Sequence, residues 1–109
     1  MDMKSAPATF VRQARDSLNP LGFGVSKHAA DGMWHRRIVP SQVGETLLNP
    51  DTTEVDLEDM DVEILFKKFG NRTVRAVVKY EDGHKIILSV TWRGWLHAQA
   101  GKERGSMPA

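Results

Sequence analysis

Cysteine is absent from the 109 residues, which removes disulfide scaffolds, thiolate metal centres and cysteine nucleophiles at once. Uninterrupted apolar runs stay far below the roughly 20 residues that a membrane-spanning helix needs, so no membrane association is expected. The four histidines, at 28, 35, 84 and 97, contain no His-x-x-x-His pair, and a zinc site is not expected. No glycine-rich loop follows a strand and no Gly-x-Ser-x-Gly elbow occurs, which sets aside dinucleotide, P-loop and serine-hydrolase chemistry. No metal and no cofactor is called for. The opening Met1-Asp2-Met3-Lys4 runs into Ser5-Ala6-Pro7-Ala8 without the apolar centre of a secretory signal. Together with the missing cysteines, this leads to the expectation of a cytoplasmic location.

What is present fits one domain, because a chain of this length can bury a single core. Net charge is only +1, but its distribution is uneven. Seven acids (Asp51, Glu54, Asp56, Glu58, Asp59, Asp61, Glu63) occupy 51–63 without a base. From 64 to 93 seven bases (Lys67, Lys68, Arg72, Arg75, Lys79, Lys85, Arg93) face two acids. Two readings stand: solvated faces, or one basic side that meets nucleic acid. The acidic run would also keep an edge strand from pairing with other chains.

Spacing predicts a flexible N-terminus over 1–9, a domain over 10–93 and a C-terminal tail over 94–109. Phe10, Val11, Ala14 and Leu18 recur at helical intervals until Asn19-Pro20, and Leu21-Gly22-Phe23-Gly24 reads as a connector. Ser26 is a suitable N-cap for a second helix with Ala29, Ala30, Met33 and Trp34 as its apolar stripe, ending near Arg36-Arg37. Pro40 opens a third, with Val43, Leu47 and Leu48 inward and Asn49-Pro50 as its stop. Helices thus precede everything β. Strands follow over 62–69, 73–80 and 84–92, separated by Gly70-Asn71-Arg72 and Glu81-Asp82-Gly83, with 53–57 as an added edge. Alternation turns Val62, Ile64, Phe66, Val74, Ala76, Val78, Tyr80, Ile86, Leu88, Val90 and Trp92 toward the helices. Lys67, Arg75, Lys79, Ser89, Thr91 and Arg93 then share the opposite face. Tyr80 and Trp92 fall on the core side, leaving Trp34 and Trp95 as exposed rings for base stacking, although both suit packing as well.

The string Ser26-Lys27-His28-Ala29, then Met33, Arg36, Ile38, Val43, Leu47 and Asn49-Pro50, followed by three alternating strands ending Ser89-Val90-Thr91, resembles the family catalogued as domain of unknown function 4258. That family in turn resembles the compact ribonuclease toxins grouped with barnase, EndoU, the colicins and RelE, including the BrnT type. One departure is Gly32, where the family commonly carries a basic residue. Arg37 or Lys27 would then have to take over any phosphate contact. The resemblance implies an α+β fold with short N-terminal helices on one face of a three- or four-stranded antiparallel meander. It also implies metal-independent RNA cleavage, with RNA as substrate and an antitoxin or immunity protein and the ribosome as candidate partners.

Such cleavage needs a base for the attacking 2′-hydroxyl, an acid for the leaving 5′-oxygen and cations for the charge building on phosphate. Histidine suits both proton roles. His28 and His35 lie on one helical stripe with Gly32 between them, a gap that admits a phosphate or the close packing of another element, and Asp31 is placed to orient His35. The expected catalytic set is His28, His35, Arg75 and Thr91. Lys67, Arg36, Lys79, Ser89 and Arg93 would bind substrate. Two other classes stay open: a non-catalytic nucleic-acid-binding relative, and a protein-interaction domain that uses the acidic edge. A structural histidine near a helix start and a solvated sheet surface are the plain alternatives for the same residues.

Overall fold

The computed structural model describes residues 5–93. Helix α1 (Ala8–Leu18) forms where the apolar spacing places it, with Ala14 and Leu18 fully buried and Phe10 and Val11 packed at the margin of the core. It begins two residues before Phe10. Ala6, ahead of it, is buried and donates its N–H to Asp31 Oδ1 at 2.8 Å. A 3-10 turn over Asn19–Leu21 follows, closed by Gly22 at φ +99°, a left-handed conformation that glycine adopts without a Cβ penalty.

The supposed connector is a strand. β1 (Phe23–Val25) buries Phe23 and Val25 and runs parallel to the last strand, with Phe23 opposite Lys85 and Val25 opposite Ile87. Three residues are too few to show a period, which is why the sequence read as loop. β therefore begins between the first and second helices. α2 (Lys27–Arg36) starts on Ser26, whose hydroxyl accepts the Ala29 N–H at 3.0 Å and donates to the Leu88 carbonyl at 3.2 Å. The residue that starts the helix also ties it to the sheet. Arg37 ends α2 at φ +57°. α3 (Pro40–Leu48) has proline in its first turn, and Gln42 Oε1 accepts the Val39 N–H at 3.1 Å. Val43 and Leu47 point inward, whereas Leu48 is exposed.

β2 (Thr52–Val55), β3 (Val62–Phe69), β4 (Arg72–Glu81) and β5 (His84–Trp92) complete a five-stranded sheet of order β1-β5-β4-β3-β2. The expected antiparallel meander is present from β2 to β5, and parallel β1 makes the sheet mixed. Its turns use positive φ at Gly70 and at Asp82-Gly83, as tight hairpins require. One core joins the three helices to one sheet face through Phe23, Val25, Leu65, Val74, Ala76, Val78, Ile87, Val90 and Trp92.

Two parts of the expected face assignment change. On β3 it is Leu65 and Phe69 that meet the core, so Val62, Ile64 and Phe66 lie on the far face. On β5 the register shifts between Val77, opposite Ser89, and Val78, opposite Ile87, so Leu88 is an extra residue. The bulge inverts parity: Ile87 takes the core position expected of Ile86 and Leu88, while Val90 and Trp92 keep theirs. Tyr80 lies near the end of β4, exposed, and its hydroxyl donates to Glu63 at 2.8 Å.

Candidate nucleic-acid interface

The far face is organised by registered rows. Phe66, Arg75 and Thr91 sit side by side on β3, β4 and β5, and the next row is Ile64, Val77 and Ser89. Residues directly opposite in a ladder share a face at short separation, so Arg75 and Thr91 are neighbours by construction. Arg93 extends its guanidinium over the Phe66 ring, 4.5 Å from its centroid, a cation–π contact. Burial lowers the Arg75 pKa, the negative charge of Glu54 opposes that shift, and the neighbouring Arg93 adds to it. Arg75 is thus a partly desolvated guanidinium between an acid, Glu54, and a second guanidinium, Arg93.

Thr91 is 4% exposed, and its hydroxyl has no hydrogen-bond partner among the described residues. An unsatisfied buried hydroxyl is unfavourable, and it stands beside the most buried cation of the face. Ser89 lies one row away on the same side. Arg75, Thr91, Ser89 and Arg93 are thus brought together as expected, beside Phe66, which the sequence reading had turned toward the helices and which is buried beneath the Arg93 guanidinium. Both parities of β3 carry apolar residues; only the Leu65–Ala76 pairing decides between them.

The other expected residues are elsewhere. Lys67 lies on the helix side opposite Val74, donates to the Asn49 carbonyl at 3.0 Å and pairs with Asp51 at 3.5 Å. It fastens the end of α3 and does not share a face with Arg75. Lys79 is on the far face but bonds Asp59 at 3.0 Å, which raises the lysine pKa and lowers that of the aspartate. His28 and His35 are exposed on α2, whose buried side, Ala29, Ala30 and Met33, enters the core on the opposite side of the sheet from Arg75. The histidines do not join the arginines. Asp31 accepts from Ala6 and pairs with Lys27 at 3.3 Å, and the charge of His35 also acts on it, as expected.

The Gly32 gap is occupied by protein. A Cβ at this position would lie 2.8 Å from Arg36 Nη1 and 3.0 Å from the Val90 carbonyl oxygen. Glycine lets α2 press against β5, with the Arg36 guanidinium laid over it, and the Arg36 carbonyl accepts the Trp92 indole N–H at 2.8 Å. Arg36 belongs to the seam between α2 and β5. Trp34 is exposed beside Phe10, ring centroids 5.2 Å apart, away from the arginine face. Trp95, His97 and the tail over 94–109 lie outside the described residues.

Among the described residues no group of three histidine or acidic side chains is arranged to hold a metal ion. No helix among them is long and apolar enough to cross a membrane. A family model described as Domain of unknown function (DUF4258) matches residues 25–92, the stretch from the end of β1 through β5. No curated protein and no solved structure matches the chain.

Proposed function

The chain belongs to the family of domain of unknown function 4258, and from that premise we propose that it is an RNA-binding domain that seats phosphodiester groups on the Arg75, Thr91 and Arg93 face of its sheet. The observation that carries this reading is the buried, unpartnered Thr91 hydroxyl placed opposite the half-buried Arg75 guanidinium. With the side chains that cover it moved aside, the hydroxyl would donate to a phosphate oxygen that also accepts from the Arg75 guanidinium. The exposed phosphate chain supplies the electrostatic attraction. The resemblance to RelE- and barnase-type ribonucleases favours RNA over DNA as the ligand.

Binding without cleavage is the preferred form of the proposal. Transesterification needs an acid and a base at the phosphate, and the two histidines suited to those roles sit on the helix layer. The test is fluorescence anisotropy with a labelled single-stranded RNA across a salt series in chelator, with gel analysis of the same RNA. Arg75→Ala and Arg93→Ala should each weaken binding about tenfold and reduce the salt slope by about 1, while His28→Ala binds like wild type. Salt-insensitive binding, or binding indifferent to both arginines, overturns the interface. Cleavage that His28→Ala abolishes overturns the non-catalytic reading and restores the endoribonuclease toxin.

A further inference from the structure

The sheet ends, among the described residues, at β2, and this edge carries a combination that protection alone does not explain. Natural edges are blunted by charge, and the acids of 51–63 would do that. Yet the same segment exposes Val55 (48%), Leu57 (89%) and Met60 (71%). Large apolar side chains on a bare edge are a liability unless something covers them.

We propose that β2 is a docking edge for an extended, basic peptide segment of a partner protein, which adds to the sheet as a sixth strand. The backbone is poised for it. Asp56 donates its N–H inward to Val62 at 3.0 Å, so the alternation of an antiparallel ladder turns the N–H and C=O groups of Thr53 and Val55 away from β3. Those groups are the main-chain partners of an incoming strand. Val55 on the strand and the exposed Leu57 just beyond its end meet its apolar side chains. The charge decides the chemistry of the occupant. Lys67 and Lys79 engage Asp51 and Asp59, whereas Glu54, Asp56, Glu58 and Asp61 keep an excess of negative charge along the strand and the turn after it. A second copy of this chain would bring acid against acid, so self-pairing is disfavoured and a lysine- or arginine-bearing strand is favoured. This surface is at the acidic end of the sheet; Glu54 is the acid of it that also acts on Arg75.

The test uses the full chain and a ten-residue alternating Lys–Val peptide, followed by fluorescence anisotropy and by amide exchange. Two peptides serve as controls: an alternating Glu–Val sequence, and the Lys–Val sequence with every second backbone amide N-methylated. The Lys–Val peptide should bind, slow exchange at Thr53 and Val55, and lose about tenfold in affinity on N-methylation. Val55→Pro removes an outward N–H at an edge position where proline is tolerated, and should cost about tenfold as well. Leu57→Ser with Met60→Ser changes only exposed side chains and should weaken binding without unfolding the chain. Equal binding of the N-methylated peptide, protection elsewhere than β2, no binding at all, or self-association through β2 each overturns the proposal. RNA binding by these variants should equal wild type, which separates this inference from the arginine face.

Discussion

Gly32 and Val90 touch backbone to backbone: a side chain at 32 would place its Cβ 3.0 Å from the Val90 carbonyl oxygen. Gly32→Ala therefore sets two effects against each other. Alanine gains up to about 1 kcal/mol of helix propensity over glycine. Arg36 Nη1, at 2.8 Å, is the tip of a flexible side chain and moves aside cheaply, but the Val90 carbonyl is part of β5 and moves only with the strand. Overpacking of this kind costs about 1–3 kcal/mol. The strand term should win, with a net loss of about 1 kcal/mol in urea unfolding. The same loss should persist in an Arg36→Ala background, because the carbonyl remains. Unchanged or increased stability of Gly32→Ala would show that the α2–β5 seam is looser than its geometry implies.

Acid and alkali should destabilise the fold through different groups. The Ala6 N–H holds the Asp31 carboxyl below its usual range, the Lys68 N–H does so for Asp51, and the Lys79 ammonium for Asp59. For a carboxyl whose folded-state pKa is depressed, the stabilisation is complete above the unfolded value of about 3.9 and disappears as pH falls through the folded value. Lys79 is raised by Asp59, and Tyr80 is pushed up to about 12, first by burial and then by its bond to Glu63. Their contributions are complete below the unfolded values of about 10 and are lost as pH rises through the folded ones. Denaturant midpoints should form a plateau between about pH 5 and 9 with a decline on each side. Lys79→Met should flatten both limbs, since it removes one base and the partner of one acid. Asp31→Ala should flatten the acid limb alone and accelerate exchange of the Ala6 amide.

Much of the fold was legible because its punctuation is local. Ser26 before a stripe of small residues, Pro40 at a helix start and Asn19-Pro20 as a stop act through capping and proline sterics that need no tertiary information. β4 alternates cleanly, and Val74, Ala76 and Val78 are all fully buried. β3 does not alternate cleanly. With apolar residues at 62, 64, 65, 66 and 69, either parity buries a hydrophobic set, and only pairing with β4 chooses. That one-residue ambiguity transferred Lys67 to the wrong side of the sheet and hid Phe66 from the candidate site. The Leu88 bulge and the three-residue β1 are long-range features, since each exists only because a distant strand fixes it. For the histidines, helical spacing told which stripe they share, and strand alternation already set the helices on the side of the sheet away from Arg75; the expected catalytic set joined groups from both sides, which the α2–β5 packing at Gly32 and Val90 keeps apart.

Thr91→Val should separate a residue held for the fold from one held for a ligand. Valine matches threonine in shape and favours strands, so the exchange removes one buried hydroxyl and little else. That hydroxyl has no partner among the described residues, and relieving an unsatisfied buried polar group is worth about 1 kcal/mol. Thermal unfolding should therefore shift upward by a few degrees, roughly 4–8 °C per kcal/mol for a domain of this size. RNA affinity should move the other way, by about five- to tenfold, because one donor to the phosphate is lost. Thr91→Ser keeps the donor and should keep the affinity, with a small loss of packing from the missing methyl. A valine variant that is both more stable and equally tight on RNA would remove Thr91 from the interface. A less stable one would mean that the hydroxyl is satisfied within the fold, and that the face lacks the free donor on which phosphate binding depends.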